Sequence, residues 1–164
     1  RGYGGNPGKP SEAGLHIDAK AALDFLSSRE IPREKVILYG ESLGCGIAVK
    51  AATEHDFAAV ILEAPYTSIA DVAQRQFWFL PVRWLVRDRY DTLAIINMIT
   101  SPVVVMHGEQ DDIIHVSFGK RVFEAAPEPK TAWFFEGAGH NNLKEFGFDT
   151  QLLNYLERNR SRKR

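Results

Sequence analysis

The stretch that decides the fold is VILYGESLGCGIAV, residues 36–49. It places Ser42 between Gly40 and Gly44, after an apolar run and before a series of small residues. A serine is a common helix cap, but capping does not require a glycine on either side. The Gly-x-Ser-x-Gly pattern is typical of a sharp strand-to-helix turn that exposes the serine hydroxyl above a sheet, with small neighbours where larger ones would collide. We therefore interpret Ser42 as a nucleophile rather than a cap.

Outward from this turn, short apolar runs alternate with helical patterns. The predicted strands are residues 36–40, 58–65, 101–108 and 130–139. The predicted helices are residues 11–28, a segment after Ser42, residues 116–126, and residues 149–159 with Leu152, Leu153 and Leu156 facing inward. Strands that are apolar throughout and alternate with helices are typical of a parallel sheet covered on both faces. We therefore predict a single α/β domain over residues 1–164.

Residues 66–100 do not fit this alternation, because the segment is too long for a simple connection between strands. It is rich in aromatic residues and is interrupted by Pro81 and by arginines. We interpret it as a small insertion over the strand ends, serving as a cap or pocket wall. The candidate pocket residues are Tyr66, Phe77, Trp78 and Phe79. Plain packing of these aromatic side chains is the alternative.

Composition excludes several functional classes. The formal net charge of −1 gives no general attraction to nucleic acid or to an anionic membrane. No apolar run is long enough to span a bilayer, and the single Cys45 cannot form a disulfide within the chain. No group of histidines and cysteines has metal-ligand spacing. We therefore predict no metal, no cofactor and no nucleic-acid partner, and we interpret Cys45 as a small core residue.

A serine nucleophile needs a base and an acid that orients the base. In open α/β sheets such groups lie at the carboxyl ends of the strands. His140 follows the last predicted strand, and Asp111 and Asp112 lie in the loop after the third. The order serine, acid, histidine is the one expected for this architecture. The loop chemistry alone separates Asp111 from Asp112 poorly.

The remaining histidines are interpreted as structural. His107 ends a strand and is expected to orient the acid loop, and His115 is expected to pack at the start of the next helix. His16 and His55 are interpreted as surface residues.

Four stretches, RGYGGNPGKPSEAGLHIDAKAALDFL, YGESLG, HGEQDDIIH and GAGHNNL, resemble the α/β-hydrolase superfamily. They are most similar to its small, minimally capped branch of protein depalmitoylases and related acyl hydrolases. The resemblance implies that Asp111, the fifth residue of an H-G-x-x-D pattern, is the acid, with His140 as base and Ser42 as nucleophile. It also implies that the backbone N–H of Leu43 is one oxyanion donor. The turn around the nucleophile would comprise Gly40, Glu41 and Gly44.

The same resemblance implies several strands ahead of residue 1, one of which supplies the second oxyanion donor. We therefore expect an N-terminally truncated chain, in which strand 36–40 presents an apolar edge. The loss of one oxyanion donor typically lowers the rate by about 10²- to 10³-fold.

The sequence thus predicts a serine hydrolase that cleaves an ester or thioester bond through an acyl-enzyme, on a small-molecule or acylated substrate. Three alternatives remain: an aminopeptidase-like amide hydrolase, a non-catalytic remnant of a hydrolase, and a scaffold that binds a hydrophobic ligand without turnover. Membrane association is expected only through an upstream anchor, and a cytoplasmic or membrane-associated location is favoured. The oligomeric state is left open.

Overall fold

A computed structural model describes residues 1–162. Its centre is a four-stranded, wholly parallel sheet in the order β1-β2-β3-β4. The strands are β1 (Ile37–Glu41), β2 (Ala59–Glu63), β3 (Val103–Gly108) and β4 (Lys130–Phe135). The helices are α1 (Glu12–Ser28), α2 (Gly44–Ala52), α3 (Ile69–Gln76), α4 (Thr92–Ile95), α5 (Val116–Ala125) and α6 (Phe148–Arg162). The predicted α/β architecture with a parallel sheet is confirmed.

Alternate side chains of the central strands enter two separate cores. On one face, Val60 and Val105 pack with Leu23 of α1, Val49 of α2 and Val122 of α5. Because successive side chains of a strand point to opposite faces, their neighbours must be covered from the other side.

That second core is smaller and is closed by α6. Ile61, Val104 and Met106 pack there with Phe148 and Leu152. The two central strands are therefore buried on both faces, which explains why their sequences are apolar throughout.

The first helix begins as its sequence predicts. The Ser11 hydroxyl accepts a hydrogen bond from the Gly14 N–H at 3.2 Å, and Glu12 lies in the first turn. A side-chain cap and an acidic residue at this end both stabilise the exposed N–H groups. None of the helices within residues 1–162 combines the length and apolarity needed to cross a bilayer.

The prediction that β1 is buried is wrong for one of its faces. Leu38 packs into the first core, but Ile37 and Tyr39 are 40% and 45% exposed. Within the described residues β1 pairs only with β2, and the small second core does not extend over it. Apolar composition identified the strand but not which neighbours cover it.

Two further details of the sequence prediction are also wrong. Leu153 of α6 is 61% exposed, since only Leu152 and Leu156 of the three predicted leucines face the second core. The fourth strand ends at Phe135, not at residue 139, because the chain turns at Gly137, whose φ is +80°.

The strand-to-helix turn depends on close contact between backbone atoms. A Cβ added to Gly40 would lie 2.6 Å from the carbonyl oxygen of Gly44 and 2.7 Å from the Cα of Cys45. A Cβ added to Gly44 would have no heavy atom within 4 Å. The expected crowding therefore holds for Gly40 alone: this residue faces α2, whereas Gly44 faces open space.

We expect Gly40→Ala to lower the free energy of unfolding by about 1–3 kcal/mol, because α2 must shift to admit the methyl group. Gly44→Ala is the matched control and should change stability by less than about 1 kcal/mol, since alanine favours a helix over glycine. Chemical denaturation of both variants measures the difference. Equal stability of the two variants would contradict the packing described for this turn.

Candidate active site

Ser42 occupies the turn between β1 and α2 in a backbone conformation that is rare for non-glycine residues. Its φ is +50°, in the left-handed region. Its N–H donates to the carbonyl oxygen of Glu63 at 2.9 Å, and its own carbonyl accepts from the N–H of Cys45 at 2.9 Å. These two bonds tie the turn to β2 and to α2, which holds the residue in a strained geometry typical of functional sites.

The structure brings together the three residues that the sequence singles out. His140 Nε2 lies 3.2 Å from Ser42 Oγ, and His140 Nδ1 lies 2.7 Å from Asp111 Oδ2. The first pair is separated by 98 residues of sequence and the second by 29. They meet because each follows the carboxyl end of a strand at the same edge of the parallel sheet.

Asp111 is only 4% exposed and is surrounded by donors. Its Oδ1 accepts from the N–H groups of Ile113 at 2.9 Å and Ile114 at 2.7 Å. Burial alone would raise its pKa, but hydrogen bonds from His107, His140 and the Ile114 N–H outweigh it and hold the pKa of Asp111 far below its usual range. The Asp111 carboxylate is therefore charged in the folded protein near neutral pH.

The neighbouring Asp112 is exposed and does not contact His140. The geometry thus separates the two aspartates, which the loop chemistry alone could not do.

His107 is a second imidazole in contact with Asp111. It is fully buried, and its Nε2 lies 2.7 Å from the Ile114 carbonyl oxygen and 3.3 Å from Asp111 Oδ2. A Cβ at Gly119 of α5 would lie 2.3 Å from its Nδ1, so glycine is required where the helix passes the ring. The geometry fits the predicted orienting role.

His140 shows the electrostatic effect of this acid. Its hydrogen bond to Asp111 raises the pKa of His140 above the ordinary value of 6.5, against the opposing effect of burial. The negative charges of Asp111, Glu41 and Glu63 act in the same direction as the hydrogen bond. The site therefore stabilises a positively charged imidazole.

Glu63, the last residue of β2, belongs to the site but was not predicted from the sequence. Its side chain is buried and accepts a hydrogen bond from the Tyr39 hydroxyl. Burial raises the pKa of Glu63, assisted by Glu41 and opposed by the bond from Tyr39. The available signal was a carboxylate that ends an apolar strand at the edge where Ser42 lies.

Leu43 takes the N-cap position of α2, directly after Ser42. The first N–H groups of a helix lack partners within the helix, so this end can stabilise a developing negative charge. The Leu43 carbonyl, in turn, accepts a hydrogen bond from the Tyr66 hydroxyl at 3.1 Å.

The structure corrects the prediction for the aromatic residues. Tyr66 has no exposed surface and is part of the first core, where burial raises its pKa. Phe77, Trp78 and Phe79 are exposed, and they do not line the cavity that contains Ser42. Aromatic composition alone could not distinguish a pocket wall from an exposed surface.

The cavity beside Ser42 has a volume of about 610 Å³ and is largely apolar. It runs between α1, α2 and the outer edge of β1, and its lining includes Leu15, Leu43 and Ile47 as well as Tyr39. Ser42 thus lies at the border of an apolar surface.

Three further side chains of residue types that often take part in chemistry, Cys45, His115 and His16, have structural roles. Cys45 is fully buried, as predicted, and burial raises its pKa. His115 caps α5 by accepting from the Ser117 N–H at 3.3 Å. His16 was predicted to be a surface residue but is half-buried, with its ring 6.2 Å from that of Tyr90.

The described part of the chain contains no group of three or more histidine, cysteine, aspartate or glutamate side chains arranged to hold a metal ion.

Comparison with known proteins identifies relatives by sequence. No protein-family model matches the chain. The "Uncharacterized protein Rv2307c" of Mycobacterium tuberculosis is 41% identical over 143 residues, which cover 87% of this chain and 51% of that protein. The "Alpha/beta hydrolase domain-containing protein 17B" of Homo sapiens is 38% identical over 162 residues, which cover 96% of this chain and 51% of the relative. The chain therefore spans about half the length of the curated relatives it matches.

Solved structures share the fold at low sequence identity. The α/β hydrolase GrgF from Penicillium sp. sh18 aligns with a TM-score of 0.71 at 19% identity, covering 97% of this chain and 77% of the other. The esterase domain of a Rhodothermus marinus protein aligns with a TM-score of 0.64 at 22% identity, covering 84% and 65%. A sequence relative carries the α/β-hydrolase name, and solved structures share the parallel α/β fold. The chain therefore belongs to the α/β-hydrolase superfamily.

Proposed function

We propose that this chain carries the catalytic triad of a serine hydrolase that cleaves ester or thioester bonds. One observation carries the proposal: the continuous hydrogen-bonded chain from Asp111 through His140 to Ser42. Nucleophile, base and orienting acid in this order are the arrangement that activates a serine hydroxyl.

The mechanism follows from these contacts. His140 Nε2 accepts the proton of the Ser42 hydroxyl as Oγ attacks the carbonyl carbon of the substrate. The Leu43 N–H stabilises the negative charge that develops on the carbonyl oxygen. His140 then donates the proton to the leaving group, which departs as an alcohol or thiol and leaves Ser42 acylated.

A water molecule completes the reaction. His140 removes a proton from the water as the water oxygen attacks the acyl carbonyl carbon. It then returns that proton to Ser42 Oγ as the C–Oγ bond breaks and the carboxylic acid leaves. Throughout these steps the charged Asp111 accepts from Nδ1 and so keeps Nε2 free to exchange protons. Neither a metal nor a cofactor takes part in this proposal.

An apolar acyl group is the proposed substrate feature. Support comes from the fold shared with an esterase domain. The sequence resemblance to depalmitoylases and related acyl hydrolases agrees with it. Serine-dependent hydrolysis of an amide would use the same three residues, so an amide must be tested as a substrate beside the esters.

We expect a fluorophosphonate probe to label Ser42 stoichiometrically in the purified protein. Ser42→Ala should abolish labelling and His140→Ala should slow it by at least about 10³-fold. Mass spectrometry of the labelled peptide identifies the residue. A folded sample that stays unlabelled would favour the non-catalytic remnant and overturn the proposal.

Substrate class is tested with p-nitrophenyl esters of increasing acyl length and with a p-nitroanilide. We expect faster turnover of the longer acyl esters than of acetate, because their chains bury more apolar surface, at about 0.8 kcal/mol per CH₂ group. Faster hydrolysis of the anilide than of every ester would instead support the aminopeptidase-like alternative.

Asp111→Asn and Asp112→Asn form a matched pair that tests the identity of the acid. We expect Asp111→Asn to reduce the rate of Ser42 labelling by about 10³- to 10⁴-fold, because the amide no longer holds His140 in the required tautomer. Asp112→Asn should change the rate less than about twofold, since this side chain is exposed and does not contact His140. The reverse pattern would assign the acid to Asp112.

The pH dependence of labelling tests the state of His140. Its pKa is raised, so the imidazole is protonated and unable to accept the serine proton below an inflection that lies above pH 6.5. The rate should rise through this single inflection as the pH increases. In Asp111→Asn the inflection should move to lower pH, because the hydrogen bond and charge that raise the pKa are lost. An inflection in the unsubstituted protein below 6.5 would contradict the electrostatics described here.

A further inference from the structure

The segment between α3 and α4 displays apolar side chains to solvent. Six large apolar residues lie within nine positions and are all exposed; Trp78 and Trp84 reach 79% and 90% exposure. We call this set the aromatic surface, and it comprises Phe77, Trp78, Phe79, Leu80, Trp84 and Leu85. The rings of Trp78 and Phe79 contact each other edge to face, with centroids 5.9 Å apart. A cluster of exposed apolar side chains is typical of an interaction site in a folded protein.

Polar side chains hold the backbone of this segment in place. The Gln74 side-chain amide lies 3.4 Å from the carbonyl oxygens of Phe77 and Trp78, and 2.9 Å from that of Leu80. Asp71 accepts from the Thr67 hydroxyl at 2.6 Å and pairs with Arg83. Polar side chains thus bond to the backbone and to one another within this segment, while its large apolar side chains are exposed. A segment ordered in this way is a built surface rather than an unfolded stretch.

Around the aromatic surface arginines outnumber carboxylates: Asp71, which pairs with Arg83, and Asp88 stand against four arginines, Arg75, Arg83, Arg87 and Arg89. Residues 72–87 contain Arg75, Arg83 and Arg87, all exposed, and no aspartate or glutamate. The chain as a whole carries a formal net charge of −1, so this excess of positive charge is local. Exposed tryptophans beside arginines are the composition that places a protein segment at the interface of an anionic bilayer.

The chain enters this segment from the edge of the sheet that carries the candidate site. The segment follows the carboxyl end of β2, which is the edge of the sheet where Ser42, Asp111 and His140 meet. The chain thus leaves the sheet at the edge that carries Ser42 before it forms α3 and the aromatic surface.

We propose that the aromatic surface docks the protein on an anionic phospholipid bilayer, with tryptophan rings in the headgroup region and arginines on lipid phosphates. This surface supplies a membrane contact within the described residues, in addition to any upstream anchor. It stands on the exposed side chains and their charge, and does not depend on the proposed hydrolase activity.

The test uses vesicles of phosphatidylcholine and phosphatidylglycerol, with binding measured by co-sedimentation. We expect Trp78→Gln with Trp84→Gln to reduce partitioning by at least about tenfold, because both rings leave the interface. The control is Phe25→Gln with Leu153→Gln, which removes two apolar side chains of α1 and α6 that are 56% and 61% exposed, and it should change binding less than about twofold. Arg75→Gln with Arg87→Gln should weaken binding by about fivefold per arginine on these vesicles and far less on pure phosphatidylcholine.

Quenching of tryptophan fluorescence by brominated lipids identifies the inserted rings. We expect quenching in the unsubstituted protein and its loss in Trp78→Gln with Trp84→Gln, where only Trp133, packed against Tyr155, remains. Ser42→Ala should bind vesicles unchanged, which separates docking from catalysis.

Three outcomes would overturn the proposal. The first is a failure of the unsubstituted, folded protein to bind the anionic vesicles. The second is binding that both tryptophan substitutions leave unchanged. The third is self-association in solution that covers the aromatic surface, shown by sedimentation in the absence of lipid and lost in the tryptophan double variant. That last result would assign the surface to a second copy of this chain.

Discussion

The register of four parallel strands is the constraint on which every distance in the site depends. Glu41 lies opposite Glu63 and Gly108 lies opposite Phe135, so β1 ends level with β2 and β3 ends level with β4. Glu63 lies opposite Met106, so β3 continues two residues beyond β2. Ser42 follows β1 by one residue, Asp111 follows β3 by three, and His140 follows β4 by five. A slip of one residue would move a strand end by about 3.3 Å and turn its apolar side chains to the wrong face. The buried faces of β2 and β3 therefore fix the geometry of the proposed triad as well as the stability of the fold.

The acid at this edge is kept charged by its surroundings rather than by exposure to water. Two backbone N–H groups and two imidazoles surround Asp111, and together they overcome the cost of burying its charge. Because these donors are already in place, little reorganisation is needed when His140 becomes charged. His107 packs against Asp111, and its ring fits there because Gly119 of α5 has no side chain. The groups that hold Asp111 in place therefore include residues other than the three that would perform the reaction.

Local patterns in the sequence predicted the features that depend on nearby residues. The strands, the cap at Ser11 and the turn at Ser42 follow from composition and spacing over a few positions. The choice between Asp111 and Asp112 depended on the resemblance to a family, because both carboxylates lie in one loop. The exposure of Tyr39 and Leu153, and the contact between Tyr39 and Glu63, could not be predicted, since they depend on which elements pack over each face. Tyr66 and Trp78 show the same limit: both are aromatic and belong to one segment, yet one is buried and the other exposed.

Tyr66 also explains how the aromatic surface is connected to the site. It follows β2, its hydroxyl donates to the carbonyl oxygen of Leu43, and a Cβ at Gly46 would lie 2.5 Å from that hydroxyl oxygen. The first residues of the segment are therefore in direct contact with the first turn of α2, immediately after Ser42. From there the chain continues through Thr67, whose hydroxyl donates to Asp71, the residue that pairs with Arg83. The aromatic surface is thus joined to the turn at Ser42 by one short stretch of chain and its side-chain hydrogen bonds.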